Sequence, residues 1–511
     1  MSGYLRRLAG TGAAYTAASV ISKLIAVALL PLYTRFLTPA DYGAAEVMFA
    51  AVVAMSIVVR LGVIEALLRF YYRAGEEPRE VTRTSFATLF WTSTAVALVL
   101  LPFAGPLSEA LLGQPEADLA RVAIGGLWVL TLSEYLLTLF RLDEQARTFF
   151  IVTMLSVLLT IPVTVVLVVF LELGAIGLLA GSYGTGLVIV IGLIIWHRRR
   201  LALVPDPGLL RRMLRFGLPT MPAELSLYSL SFIDRILVAR LLGLAEAGFY
   251  ALAVKIAQSV NVLVRGFQLA FPPLAYSITD DDEARQAYSV IVTWFAVLMA
   301  FVVSAVWLVA PWIVRIFAAP DYFPAQEAVG PVAAGTALYA LYMVLLVVLG
   351  RTGRTEFNFP ATLAGVGVNI ALNVILLPKL GILGAGVSLA ISYLVVLVLM
   401  YVFTQRLFPV PYEWGRLAKA ILSTAAIIAL GTALVPDDGF GALAIRLLLI
   451  AALPGLMFLL DFFTPEERRY LAMLGRPREL LTELRSAPEG PEPQGLPEVY
   501  EVEQMNEDMR N

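Results

Sequence analysis

Residues 33–43 read YTRFLTPADYG, and residues 238–248 read VARLLGLAEAG. The two stretches align at a shift of 205 residues, and the same shift places Arg60 on Arg265. A shift of 207 residues then pairs RTFF at 147–150 with RTEF at 354–357. Apolar helices often match by chance, but these matches include arginines and loop glycines. The sequence therefore predicts two similar halves of about six membrane spans each, related by an axis along the membrane normal.

Apolar stretches of about 20 residues, enough for a helix to cross ~30 Å of hydrocarbon, recur along almost the whole chain. Of the 511 residues, 59% are hydrophobic and 15% are charged, which is more apolar than a soluble domain requires. We predict an all-α polytopic membrane protein with about fourteen transmembrane helices. The predicted spans are residues 11–36, 44–67, 84–103, 119–140, 150–171, 175–196, 217–242, 247–267, 288–309, 328–349, 360–377, 384–403, 417–435 and 443–463.

The loops between these spans differ in charge. One alternating set carries about four times as many Lys and Arg side chains as the other. Because basic loops stay in the cytoplasm, this asymmetry predicts that both termini and the basic connector are cytoplasmic. The predicted organisation is an N-lobe of spans 1–6, the connector, a C-lobe of spans 7–12, two extra C-terminal spans and a partly disordered, Pro- and Glu-rich tail. Their bounds are residues 1–196, 197–216, 217–405, 406–463 and 464–511.

Nine of the ionisable side chains within the predicted spans are candidates for function, because a charge there costs about 2.5–3.5 kcal/mol on insertion scales. In spans one, two, seven and eight, polar residues recur at steps of three or four, the spacing of one helix face. A water-filled cavity between the two halves is the simplest way to hydrate all four stripes. The alternative is that the charges only form ion pairs between helices. The nine residues are Lys23, Arg60, Glu65, Glu134, Glu224, Asp234, Arg235, Lys255 and Arg265.

The basic members of this set predict a ladder of cations. Arg60 lies 17 residues after Gly43, about 25 Å along a helix, and Arg265 lies 17 residues after Gly248. We therefore expect both arginines in the cytoplasmic third of the membrane and the two lysines nearer its midplane. The candidate cavity cations are Lys23, Arg60, Arg235, Lys255 and Arg265.

The acidic members predict a different role. A carboxylate in a half-hydrated cavity can bind a proton or a sodium ion. Glu65, Glu224 and Asp234 are therefore candidates for coupling transport to an H⁺ or Na⁺ gradient.

Two long stretches carry a family resemblance. Residues 17–52 read AASVISKLIAVALLPLYTRFLTPADYGAAEVMFAAV, and residues 216–253 read FGLPTMPAELSLYSLSFIDRILVARLLGLAEAGFYALA. The chain resembles, over residues 5–405, the O-antigen-type polysaccharide flippases of the multidrug/oligosaccharidyl-lipid/polysaccharide (MOP) exporter superfamily. The most specific parts are LxPxDYG after span one and the FGLP, Asp and AGFYALA series.

The resemblance implies two six-helix lobes around a central cavity in the cell inner membrane, and alternating access. It implies an undecaprenyl-pyrophosphate-linked oligosaccharide as cargo, with membrane lipids, a polysaccharide polymerase and glycosyltransferases as partners. Cations lining the cavity in that family would fall on Lys23, Arg60, Lys255 and Arg265. Two spans beyond the usual twelve resemble the lipid II flippases, so that cargo stays an alternative. A drug exporter of the superfamily is a second alternative, although it typically has a carboxylate in the first span, where this chain has Lys23.

Other classes of function find little support in the sequence. Cysteine is absent and His197 is the single histidine, which excludes thiol chemistry and the usual zinc sites, so no metal or cofactor is expected. We expect His197, beside three arginines, to lie at the surface. A membrane glycosyltransferase or polymerase is the enzyme alternative, and TDDDE at 279–283 is its candidate metal motif. That run also suits an ordinary helix start, so we predict no enzyme activity and no nucleic-acid partner.

Overall fold

The computed structural model of the chain describes residues 21, 25, 27–73, 75–465, 467 and 468. All regular secondary structure in that part of the chain is helical. Helices α1 to α18 span Leu30–Phe36, Pro39–Arg60, Val63–Phe70, Pro78–Leu100, Ala104–Leu112, Ala117–Leu142, Ala146–Val165, Gly174–His197, Pro207–Gly217, Met221–Leu241, Leu244–Ala257, Asn261–Ser277, Asp281–Phe317, Gln326–Arg351, Asn358–Leu407, Trp414–Leu434, Phe440–Ala451 and Leu453–Leu459.

Ten helices in the described residues are long and apolar enough to cross a membrane, or eleven with the bent pair Leu244–Val260 and Val264–Ser277. Three features explain why this count is below about fourteen. Most of predicted span one lies outside the described residues. Helix α10 has the length of a span, at 21 residues, but carries several charges. Helix α15 is 50 residues long and leaves helical geometry at Gly381 (φ 58°, ψ −144°), so it contains two predicted spans. The prediction of an all-α polytopic membrane protein is confirmed, and the number of apolar helices is consistent with about fourteen spans.

The LTPADYG motif begins a helix. The Thr38 hydroxyl accepts a hydrogen bond from the Asp41 backbone N–H at 3.1 Å and donates one to the Asp41 carboxylate at 2.6 Å. Pro39 occupies the first turn, where a missing N–H leaves no hydrogen bond unmade. In the second half, Gly243 (φ 111°) precedes the start of α11. The repeated segment is therefore a helix N-terminus in both halves.

The two halves contact each other at this repeat. Near their N-termini, α2 and α11 pack backbone to backbone: a Cβ on Gly43 would lie 2.0 Å from the Leu244 carbonyl oxygen, and one on Gly248 would lie 2.0 Å from that of Pro39. The approach is nearly symmetric, as an axis between similar halves requires. It supports the internal repeat that the sequence predicts.

A second contact lies at the opposite end of α2. Leu61 (φ 51°) and Gly62 (φ 68°) end α2 in left-handed conformations. A Cβ on Gly62 would lie 2.0 Å from the carbonyl oxygen of Gly217, the last residue of α9. The halves therefore meet at both ends of α2, in a closed arrangement.

The connector forms a surface helix. Asp206 caps α9 by accepting a hydrogen bond from the Leu209 backbone N–H at 2.5 Å. The helix buries Leu209 and Met213 and exposes Arg211 and Arg212.

The predicted surface position of His197 was wrong. Its side chain is 5% exposed, and its ring lies 5.0 Å from the ring of Phe140 in an edge-on contact. The Nδ1 atom lies 3.1 Å from the Leu193 carbonyl oxygen. His197 is the last residue of α8. Its ring packs inward against α6, while the arginines that follow it are exposed.

Helices α16 and α17 pack against α13, and α18 packs against α16 and α17. Arg446 is 1% exposed, donates to the Leu308 carbonyl oxygen at 2.9 Å and pairs with Asp437. Arg446 ties α17 to α13 strongly, because replacing its side chain would leave the buried Leu308 carbonyl oxygen without this hydrogen bond. The acidic run at the start of α13 acts as a cap: the Asp280 carboxylate accepts from the Glu283 backbone N–H at 2.8 Å.

Candidate functional site

Arg60 lies at the centre of a cluster of carboxylates. Its side chain is buried, and its guanidinium contacts Glu134 at 2.9 Å and Glu224 at 2.8 Å. The contact with Glu224 is a hydrogen bond, whereas the angle of the Glu134 contact makes it an ion pair only. Glu134 belongs to α6 of the N-terminal half and Glu224 to α10 of the C-terminal half. Arg60 therefore joins the two halves at the C-terminal end of α2.

Negative charge is in excess here. Glu65, on α3 and five residues after Arg60, has a buried carboxylate oxygen without a hydrogen-bond partner and interacts electrostatically with Glu134 and Glu224. We call Arg60, Glu65, Glu134 and Glu224 the inner cluster. It contains three carboxylates and one guanidinium. The sequence could not show that Glu134 and Glu224, which lie on separate helices, contact one arginine.

A second cluster has the opposite balance. Glu46 of α2 is 4% exposed and contacts the Lys255 ammonium at 2.5 Å and the Arg235 guanidinium at 3.5 Å. The ammonium also lies 5.1 Å from the centre of the Tyr42 ring. We call Glu46, Arg235 and Lys255 the central cluster. Its two cations face one carboxylate, and they come from the C-terminal half while the carboxylate comes from the N-terminal half.

The two other predicted cations stand apart. Arg265 of α12 is exposed, and the described residues include no ion-pair partner for it. The chain bends by 48° between Leu244–Val260 and Val264–Ser277, so counting helical rise from Gly248 does not fix its depth. Lys23 lies outside the described residues.

Asp234 and Arg235 are neighbours in sequence but turn to different partners. Arg235 faces Glu46 across the interface between the halves, whereas Asp234 is 1% exposed inside the C-terminal half. The Asp234 carboxylate accepts hydrogen bonds from the Tyr250 hydroxyl at 2.9 Å and from the Asn373 side-chain amide at 2.8 Å. Among the described residues no cationic side chain lies within ion-pair distance of it. Asp234 is therefore a buried carboxylate that neutral donors alone solvate.

Asn373 was not singled out in the sequence, although a signal for it existed. It lies four residues after Asn369 in an otherwise apolar helix, and its amide nitrogen lies 2.9 Å from the Asn369 carbonyl oxygen. Two asparagines on one face of a membrane helix are expensive unless they bind a partner. Tyr250 carried no such signal, because tyrosines are common in this chain.

The chain matches the family described as "Polysaccharide biosynthesis protein" over residues 32–327, more than half of its length. It is similar to the succinoglycan biosynthesis transport protein ExoT of Rhizobium meliloti (strain 1021), with 28% identity over 290 residues, 55% of this chain and 56% of that protein. The match thus spans about half the length of this curated relative.

Solved structures share the fold. The lipid II flippase MurJ in an inward closed conformation matches with a TM-score of 0.69 and 13% identity, covering 86% of this chain and 96% of that one. An inward-facing multidrug resistance MATE family transporter of the MOP superfamily matches with a TM-score of 0.63 and 16% identity, covering 79% and 99%. The fold is thus that of these transporters. By its residues 32–327 the chain belongs to the polysaccharide biosynthesis protein family, and its apolar helices make it a multi-pass membrane protein.

Proposed function

We propose that the chain flips a lipid-linked oligosaccharide from the cytoplasmic to the outer leaflet of the cell inner membrane by alternating access. The family and the transport role in the name of the Rhizobium meliloti relative support this function. The observation that carries it is the charge balance: the central cluster holds two cations and one carboxylate where the two halves meet. An undecaprenyl-pyrophosphate headgroup needs such a surplus of positive charge inside the membrane.

The central cluster is the proposed headgroup site. Guanidinium donates paired hydrogen bonds to phosphate oxygens, and ammonium adds a compact charge. In the closed arrangement Glu46 holds both Arg235 and Lys255 across the interface. A pyrophosphate that competes with Glu46 for these cations would release one half from the other. Lys23 and Arg265 are proposed to add their charges as the cavity opens.

The inner cluster is the proposed cytoplasmic gate. For the cavity to open inward, Arg60 must separate from Glu224, because the two residues belong to different halves. An arriving headgroup can replace Glu224 as the anionic partner of Arg60, so Arg60 and Arg265 capture the cargo in the inward-open state. Loss of that headgroup to the outer side restores the closed gate.

Coupling to H⁺ or Na⁺ is proposed at Glu65, Glu224 and Asp234. The inner cluster has carboxylates that Arg60 cannot neutralise, and Asp234 has neutral partners only. A bound proton or sodium ion would supply the missing positive charge.

The proposed organisation keeps the predicted lobes, 1–196 and 217–405, on either side of the 197–216 connector. Spans 13–14 in 406–463 are accessory, and the tail from 464 is cytoplasmic, as is the N-terminus. Glycosyltransferases are proposed to act on the cargo before it crosses the membrane, and a polysaccharide polymerase is proposed to act on it afterwards.

The test is flipping by the purified full-length chain in proteoliposomes. Three substrates are compared: a fluorescent undecaprenyl-pyrophosphoryl oligosaccharide, fluorescent lipid II and a cationic drug. We expect the oligosaccharide lipid to become accessible on the opposite face fastest. Faster movement of lipid II would favour that alternative, whose supporting observation is the pair of extra C-terminal helices. Movement of the drug alone would contradict the proposal.

A further inference from the structure

An apolar cavity of about 220 Å³ lies between the two halves. Its walls come from α2, α4, α5 and α6 of the N-terminal half and from α10 of the C-terminal half. All sixteen lining residues are apolar, from Met48 and Val58 on α2 to Leu225 and Ile236 on α10. We call this cavity the interhalf slot.

The slot is long and lies along the helices. Ten residues separate Met48 from Val58, which is about 15 Å of helical rise. Its walls are almost entirely apolar and offer water few hydrogen-bond partners, so water is not a favourable occupant. Left empty, it would be destabilising, because the lining side chains would lose their contacts. Sugars and ions are excluded for the same reason as water. A hydrocarbon chain is the chemistry that fits.

Charge at the two ends of α10 indicates how a lipid would be oriented. At its N-terminal end Glu224 belongs to the inner cluster, where carboxylates are in excess. At its C-terminal end Arg240 is exposed and donates to the Glu109 carbonyl oxygen at 2.6 Å, and the described residues include no carboxylate paired with it. Glu109 lies on α5, whose Leu107 and Leu111 line the slot. An anionic headgroup therefore belongs at the Arg240 end.

We propose that the interhalf slot binds one acyl chain of an anionic phospholipid whose phosphate contacts Arg240. The central cluster cations Arg235 and Lys255, which are proposed to bind cargo, do not line the slot. The slot is therefore separate from the proposed cargo site, and its lipid is a resident molecule, not the cargo. Its chain packs between α10 and the N-terminal half and so stabilises the closed arrangement. The inference does not depend on the identity of the cargo.

The experiment is photolabelling of the full-length protein in liposomes, followed by peptide mapping. The probes are phosphatidylglycerol and phosphatidylcholine with a diazirine on one acyl chain, and a diazirine-bearing polyprenyl phosphate. We expect phosphatidylglycerol to label residues 48–58 and 120–127 more strongly than either other probe does. Lipid-facing residues 188–195 of α8, where Val188, Ile191 and Ile195 are exposed, should be labelled by all probes.

Two variants locate the site. Ala51→Phe fills the slot and should abolish labelling of 48–58 and 120–127 while leaving 188–195 labelled. Arg240→Gln should remove the preference for phosphatidylglycerol over phosphatidylcholine. Ala429→Phe, at an exposed position of α16, is the control and should change neither. Absence of slot labelling in the wild type, equal labelling in Ala51→Phe, or preferential labelling by the polyprenyl phosphate would each overturn the proposal. The wild-type map decides this even if a variant does not insert.

Discussion

Gly43 and Gly248 lie 205 residues apart in sequence and meet backbone to backbone in the structure: a Cβ on Gly43 would lie 2.6 Å from the Gly248 nitrogen. The pair that the repeat aligns is thus also the pair through which the halves touch. No side chain other than hydrogen allows two helices to approach so closely. The opposite end of α2 also has a close glycine contact, where a Cβ on Gly62 would lie 2.0 Å from the Gly217 carbonyl oxygen, and there the ion pair of Arg60 with Glu224 is added. One end is therefore held by shape alone and the other by shape and electrostatics together.

The glycine contact predicts a strong effect of one methyl group. Gly43→Ala should lower the thermal unfolding temperature of the detergent-purified protein, because the helices must separate, at a cost of about 1–3 kcal/mol. Gly192→Ala is the matched control: Gly192 is helical and has open space around its Cβ position. It should be neutral or stabilising by about 0.5–1 kcal/mol. Equal unfolding temperatures for the two variants would show that the contact carries no stability.

Substitution of Arg60 should disrupt both the proposed cytoplasmic gate and transport. Arg60→Ala leaves Glu134 and Glu224 without their cation, and because these side chains are 35% and 40% exposed, solvent screening keeps the cost below the value of about 3–5 kcal/mol for fully buried pairs. We expect export to be abolished while membrane insertion stays normal, and we expect the same for Arg265→Ala. Arg60→Lys should restore export only in part, because an ammonium lacks the planar fork that reaches two carboxylates.

The control for these arginines is Arg354→Ala. Arg354 is an exposed arginine whose pair with Glu356, at 2.8 Å, should contribute only about 0–1 kcal/mol. Export measured at matched expression should fall for Arg60 and Arg265 and not for Arg354. Full export by the Arg60→Ala, Arg265→Ala double variant would sink the proposed capture of the headgroup.

Substitutions of the cations and of the carboxylate in the central cluster should change the affinity for the headgroup in opposite directions. Arg235→Gln and Lys255→Gln each remove a charge-assisted contact worth about 1.5–3 kcal/mol, so headgroup affinity should fall about 10- to 150-fold. Glu46→Gln removes the competing anion and should raise that affinity. Titration of the fluorescent oligosaccharide lipid into each purified variant measures the difference. A fall in affinity for Glu46→Gln would contradict the proposed competition.

Much of this architecture was readable in the sequence because it depends on local pattern. Span length and the repeat itself follow from periodicity and composition. The pairing of charges was not readable in the same way. Arg60 and Glu224 are 164 residues apart, and only the packing of α2 against α10 makes them neighbours. The excess of acid around Arg60 and of base around Glu46 required the tertiary structure.

Membrane orientation predicts a labelling pattern that is independent of transport. Single cysteines at Ser2, Pro205 and Asn511 should resist an impermeant thiol reagent added to intact cells, because all three positions are predicted to be cytoplasmic. The native chain has no cysteine, so the background should be low. The same cysteines should react in permeabilised cells, which controls for access. Reaction of any of them in intact cells would overturn the orientation and, with it, the leaflet assigned to each cluster.

Substitution of Asp234 should remove ion coupling without unfolding the protein. Asparagine has nearly the shape of aspartate: its Oδ1 can accept from the Asn373 amide, and its Nδ2 can donate to the Tyr250 hydroxyl oxygen, so Asp234→Asn should fold normally. It cannot bind a proton, and it binds sodium more weakly because it carries no charge. We expect flipping by this variant to lose most of its dependence on an imposed H⁺ or Na⁺ gradient, with residual flipping set by the cargo gradient alone.

The two other candidate carboxylates separate the sites. Glu65→Gln and Glu224→Gln act in the inner cluster, so each should alter gating as well as coupling, whereas Asp234→Asn should alter coupling only. Glu246→Gln, on α11 outside all these clusters, is the control. The measurement is the initial flipping rate in proteoliposomes with and without each gradient, at equal protein incorporation. If the triple variant Glu65→Gln, Glu224→Gln, Asp234→Asn keeps its full dependence on the gradient, none of these residues couples transport to an ion.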